Sequence, residues 1–94
     1  MAFDMDLQYV KEIVVSYGGQ SAFKSQGYII EIFKDDVTGT KVTEVAVKEL
    51  KPNAANTISL KVPAGIKSKK MVVKLRKASA DETSMMVITG LQLK

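Results

Sequence analysis

Polar and apolar positions alternate with a period of two along most of this chain. Ile13, Val15 and Tyr17 interleave with Glu12, Val14 and Ser16; Ile58, Leu60 and Val62 interleave with Thr57, Ser59 and Lys61. Met71, Val73 and Leu75 oppose Val72, Lys74 and Arg76, while Val45 and Val47 oppose Glu44, Ala46 and Lys48. Tyr28, Ile30 and Ile32 oppose Ile29, Glu31 and Phe33, a segment apolar on much of both faces. Near the end, Met85, Val87, Leu91 and Leu93 share one parity, with Gly90 placed for a bulge or kink. Nowhere do apolar residues recur at i, i+3, i+4 and i+7 over a dozen positions. The pattern predicts an all-β chain with Ile30, Ile32, Val45, Val47, Ile58, Leu60, Val62, Val73 and Leu75 in its core.

Turn chemistry divides the strands. Residues 35–40, Asp-Asp-Val-Thr-Gly-Thr, read as a hairpin loop, and residues 52–56, 63–65 and 78–82 close later hairpins. Gly18 and Gly19 end the first long strand ahead of a connection that runs to Gln26. Six to eight strands in 94 residues predict a single antiparallel β-sandwich, Ig-like or jelly-roll, spanning the whole chain. Residues 1–8 are read either as a strand of that domain or as an N-terminal arm. In the arm reading Phe3, Met5 and Leu7 alternate with Asp4 and Asp6 and offer three apolar side chains to a neighbouring subunit's sheet edge.

Several runs together carry a resemblance. They are Gly27-Tyr28-Ile29-Ile30-Glu31-Ile32-Phe33-Lys34-Asp35-Asp36, then Val45-Ala46-Val47, Leu50-Lys51-Pro52-Asn53-Ala54 and Thr57-Ile58-Ser59-Leu60-Lys61-Val62. This succession resembles the middle of a fibronectin type III or immunoglobulin-like module, where such an apolar strand is followed by a hairpin, a Leu-x-Pro turn and another strand. It covers residues 27–62, without a Trp in an early strand or a Tyr shortly after Leu50-Lys51-Pro52. The resemblance implies a sandwich and a role in adhesion or assembly, because such modules bind, space or decorate.

Composition narrows the chemistry. The chain has no Cys, which removes disulfides, thiolate nucleophiles and zinc ribbons, and no His, which removes the usual general base and the hydrolase triads. The N-terminus carries two acids before any apolar run, and the longest apolar stretches are far shorter than a signal core or membrane span. A cytoplasmic location is expected, or the virion if the chain is a viral accessory protein. Three short acid clusters, Asp4/Asp6, Asp35/Asp36 and Asp81/Glu82, fit solvated turns. Asp35-Asp36-Val37-Thr38 offers two or three oxygens to a calcium ion, fewer than a dedicated loop supplies, so no metal and no cofactor are expected.

Charge is divided unevenly. Residues 1–47 hold four Lys and seven acids, whereas residues 48–94 hold ten Lys or Arg and three acids. Lys67, Lys69, Lys70, Lys74, Arg76 and Lys77 fall within eleven residues, with Lys74 and Arg76 on the outward parity of their strand. Two readings compete: a docking patch for an anionic partner, or a solvated edge strand whose cations discourage unwanted pairing. Nucleic acid is disfavoured, because Phe3, Tyr9, Tyr17, Phe23, Tyr28 and Phe33 all lie in the acidic half and none interleaves the cluster. The expectation is a non-enzymatic structural or interaction module, present in several copies or as a homo-oligomer on a larger protein assembly. The most concrete example is a phage or viral capsid decoration or tail accessory protein. The alternatives are a carbohydrate- or ligand-binding sandwich that stacks on Tyr9, Tyr17, Tyr28 or Phe23, and then a weak polyanion binder.

Overall fold

The structure is a computed structural model. It describes residues 2–4, 6–35 and 40–94, with the backbone alone at Ala2 and Phe3. Seven strands are present among them: β1 (Ala2–Asp4), β2 (Glu12–Gly18), β3 (Tyr28–Lys34), β4 (Lys41–Val47), β5 (Asn56–Lys61), β6 (Lys70–Lys77) and β7 (Val87–Leu93). They form two antiparallel sheets, β1-β6-β3-β4 and β5-β2-β7. The all-β sandwich expected from the alternation is therefore present.

Alternation decides which side of each strand meets the core. Ile13, Val15 and Tyr17 of β2 and Leu60 of β5 face Tyr28, Ile30 and Ile32 of β3, Val47 of β4, and Met71 and Val73 of β6. Three expected core residues, Val45, Ile58 and Leu75, are only partly buried. Each lacks cover on one flank: Val45 and Ile58 sit on the edge strands β4 and β5, and Leu75 lies beyond the reach of β1 along β6.

The connections depart from the sequence-based expectation. Among the described strands only β3 and β4 are neighbours both in sequence and in a sheet. The segments at 52–56, 63–65 and 78–82, expected as hairpin turns, instead carry the chain from one sheet to the other. A hairpin turn stays in the plane of its sheet, whereas a crossover spans the roughly 10 Å between sheets and closes an end of the core. Each crossover accordingly brings an apolar side chain inward: Leu7 before β2, Phe23 before β3, Leu50 before β5, Val62 and Ile66 before β6, and Met86 before β7.

Two bulges reset parity. Ser16 pairs with Gly90 and Tyr17 with Ile88, so Thr89 is an extra residue in β7, next to the glycine where a bulge was expected. In the same way Val42 is extra in β4, between Thr43 opposite Ile32 and Lys41 opposite Phe33. The bulge in β7 is why Val87 and Leu91 do not share a face: Val87 is 54% exposed, whereas Leu91 packs on the core. The terminal strands also exchange places relative to an immunoglobulin-like order, in which the first strand flanks the second and the last flanks the sixth. Here β1 flanks β6 and β7 flanks β2.

Candidate partner-binding surface

The basic cluster lies on β6 and the loop before it, but it does not form one compact patch. Lys70 and Lys77 sit at opposite ends of β6, about 23 Å apart at 3.3 Å per residue. Lys74 and Arg76 point outward and are exposed, as their parity predicts. Two of the cations are occupied. Lys69 Nζ donates to Asp6 Oδ2 at 2.6 Å, and its ammonium holds the Asp6 carboxyl below its ordinary value. Arg76 Nε donates to Glu31 Oε1 at 3.0 Å. Lys67 stands beside Asp6, Gln8 and Lys69 around a shallow surface cleft. Lys70, Lys74 and Lys77 have no carboxylate within ion-pair distance among the described residues.

Glu31 explains why Arg76 is not a free cation. It sits at the centre of β3 on the outer face, only 6% exposed, directly opposite Glu44 on one side and Lys74 on the other. Two carboxylates across a strand pair repel each other. Lys41 relieves this by donating to Glu31 Oε2 at 3.3 Å and to Glu44. The contact with Glu44, and then that with Glu31, raises the Lys41 ammonium above its ordinary value, and Lys41 in turn lowers Glu44. This face of the sheet is a mixed-charge lattice in which the acidic half of the chain neutralises part of the basic half.

The N-terminal candidates divide. Phe3 is in β1, where its backbone pairs with Met71 of the same chain. Met5 lies outside the described residues. Leu7 does not continue the strand. It begins a 3-10 turn (Leu7–Tyr9) capped by the Asp6 carboxylate, donates its N–H to Ser68 O at 2.9 Å, and is 1% exposed in the core. The period-two reading of Phe3, Met5 and Leu7 as one stripe therefore ends before Leu7, because the Asp6 cap bends the chain inward.

The aromatic platform is also broken up. Tyr17 and Tyr28 are core side chains whose hydroxyls donate to Glu49 O at 2.8 Å and Ser84 O at 2.7 Å. Burial, and then the Glu49 carboxylate, pushes the Tyr17 phenol above its ordinary value. Phe23 packs against Tyr28 with ring centroids 5.6 Å apart, leaving Tyr9 alone widely exposed. Clefts elsewhere are open and shallow. One, about 420 Å³, runs between residues 18–21 and the exposed pair Met85 and Val87. A second, of about 410 Å³, is lined by Ile29, Ala46, Lys48 and Ala78 with Ser25 and Gln26.

The residue that sequence reasoning missed is Glu82. It looks like a turn acid but is fully buried. Its carboxylate accepts from the backbone N–H of Lys24, Ser25, Gly27 and Ser84, at 2.7, 2.9, 2.9 and 3.2 Å, and from Ser84 Oγ at 2.6 Å. Burial alone would raise its pKa; the Ser84 hydroxyl and the backbone amides outweigh burial and hold it at about 2. The only local hint is the Ser two positions on, since the other donors lie more than fifty residues away in the chain. Glu82 thus anchors the connection between β2 and β3.

Asp35, the one member of the candidate calcium loop among the described acids, accepts from Ser68 Oγ at 2.8 Å; Asp36, Val37 and Thr38 lie outside the described residues. Among the described residues no group of three acids is placed to hold a metal ion, and no helix is long and apolar enough to cross a membrane. Comparison of the chain with protein-family models, with curated proteins and with solved structures finds no match.

Proposed function

We propose that this chain is a non-enzymatic interaction module that docks on a larger protein assembly. The observation that carries this reading is the placement of three cations that have no ion-pair partner among the described residues. Lys70, Lys74 and Lys77 are spread along β6, which among the described residues has β1 against only its first three residues, while the carboxylates Glu31 and Glu82 are committed to internal contacts. Spread over about 23 Å, with Lys70 and Lys74 on the outer face and Lys77 on the other parity at the strand end, these cations suit an extended acidic surface better than a small anion. The stacking alternative loses ground because Tyr17 and Tyr28 are buried and hydrogen-bonded. The immunoglobulin-like resemblance draws support from two central pairings, β2 beside β5 and β3 beside β6, as in that family's order, whereas β4 here joins β3 rather than β5. A phage or viral particle decorated by the chain is the most concrete assembly of this kind, an analogy at the level of fold.

The test is co-fractionation in fresh native extract. At low salt the chain is expected in a high-molecular-weight fraction, and Lys70→Glu with Lys74→Glu should release it, as should raised salt, which screens exposed charges beyond about 8–10 Å. Elution of the wild-type chain as a lone 94-residue protein would overturn the reading.

A further inference from the structure

We propose that the second half of β6 is a strand-addition site for an extended acidic segment of a partner protein, bound antiparallel to β6 and in line with β1. The inference rests on the docking reading and goes beyond it by naming the edge and the chemistry of its occupant.

Backbone direction comes first. Ala78 N–H donates to Gly27 O at 3.0 Å and Asp35 N–H donates to Lys70 O at 3.2 Å, so even-numbered positions turn their backbone groups towards β3. In an antiparallel ladder these directions alternate. Leu75 and Lys77 therefore turn N–H and C=O to the opposite edge. There β1 pairs only with Lys70, Met71 and Val72 among the described residues, and no described strand lies on that side of residues 74–77. Of the other edge strands, β4 and β7 carry bulges, β5 packs near β4, and β1 is only three residues long. The register of β6 on β3 runs without a shift.

Side chains then select the occupant. Leu75 faces inward but stays half-buried, unlike Met71 and Val73 before it, and so offers an incomplete apolar seat. Lys74 and Arg76 project from the outer face on either side of it, and Lys77 ends the strand. An added strand meets this edge with acids opposite Lys74 and Arg76, whose guanidinium has terminal N–H groups besides the Nε bond to Glu31, and an apolar residue opposite Leu75, an acid–apolar–acid alternation. Backbone bonds supply the grip and charge supplies the choice of partner.

The test uses a fluorescent heptapeptide of alternating Asp and Val, with alternating Lys and Val as the control. The acidic peptide is expected to bind and to shift amide resonances of residues 73–77, while the basic one does not. Lys77→Pro deletes the N–H aimed at the open edge, whereas Lys77→Ala deletes only the charge. The Pro variant should bind about five- to tenfold more weakly than the Ala variant. Lys74→Glu with Lys77→Glu, which leaves the backbone intact, should exchange the peptide preference. Absence of binding, equal binding of both peptides, equal losses in the Pro and Ala variants, or shifts mapped elsewhere would overturn the proposal. If native co-fractionation survives Lys77→Pro, the docking reading stands and the strand-addition site fails.

Discussion

A buried carboxylate at the end of a crossover ties two distant stretches of chain together. Glu82 is ionised in the fold because five donors converge on it, and protonation would leave several of those backbone amides facing a poorer acceptor. Its pKa is about 2 folded, against an ordinary value of 4.5. The folded form therefore binds the proton less readily than the unfolded chain. This stabilisation is complete above pH 4.5 and is lost as pH falls from there through about 2. Melting temperature measured from pH 6 down to pH 2 is expected to fall more steeply for the wild type than for Glu82→Gln, with the two curves converging at the acid end. Parallel curves would show that Glu82 does not set the acid limit. At the same scale, charge reversal at Arg76 is not a neutral probe of docking, since it would place a third carboxylate beside Glu31 and Glu44. Lys74→Glu also sets a carboxylate opposite Glu31 but keeps the ion pairs from Lys41 and Arg76, so of the two variants Arg76→Glu, which loses one of those pairs as well, should be the less stable by thermal melting.

At the scale of elements, the strands were legible and their connections were not. Period-two alternation marks which face of a segment is apolar, and it placed β2 to β6 correctly because those faces are buried. It is silent on the neighbour of each strand, and that is why crossovers were read as hairpins. The signal that distinguishes them was present: Phe23, Leu50 and Met86 are apolar residues amid turn-forming ones. Two glycines test the connections. Gly27 has φ +79°, and a Cβ there would stand 2.1 Å from Val47 O and 2.8 Å from Phe23 Cδ2. Gly27→Ala should cost more than about 1 kcal/mol by denaturant unfolding. Gly90, next to the β7 bulge, has only Ser16 within 4 Å of such a Cβ, at 3.8 Å. Gly90→Ala should be neutral or stabilise by up to about 1 kcal/mol.

At the scale of the whole molecule, the N-terminal segment belongs to the same cooperative core as the strands. Leu7 and Leu60, fifty-three positions apart, are both buried in one cluster. Leu7→Ala and Leu60→Ala are each expected to cost about 2–5 kcal/mol within a single unfolding transition. A loss well under 1 kcal/mol at Leu7 alone would mean that the N-terminal segment is a detachable arm. Alternation and turn residues were enough to establish an all-β chain and most of its core, because those properties are local. Tertiary structure alone decided that Leu7 is internal, that Arg76 and Lys69 are paired, and that Glu82 is a buried anchor. It also decided that, among the described residues, β1 flanks only the first part of β6. Each of these depends on groups brought together from distant parts of the chain, and a carboxylate or a cation takes its role from the groups it meets rather than from its neighbours in sequence.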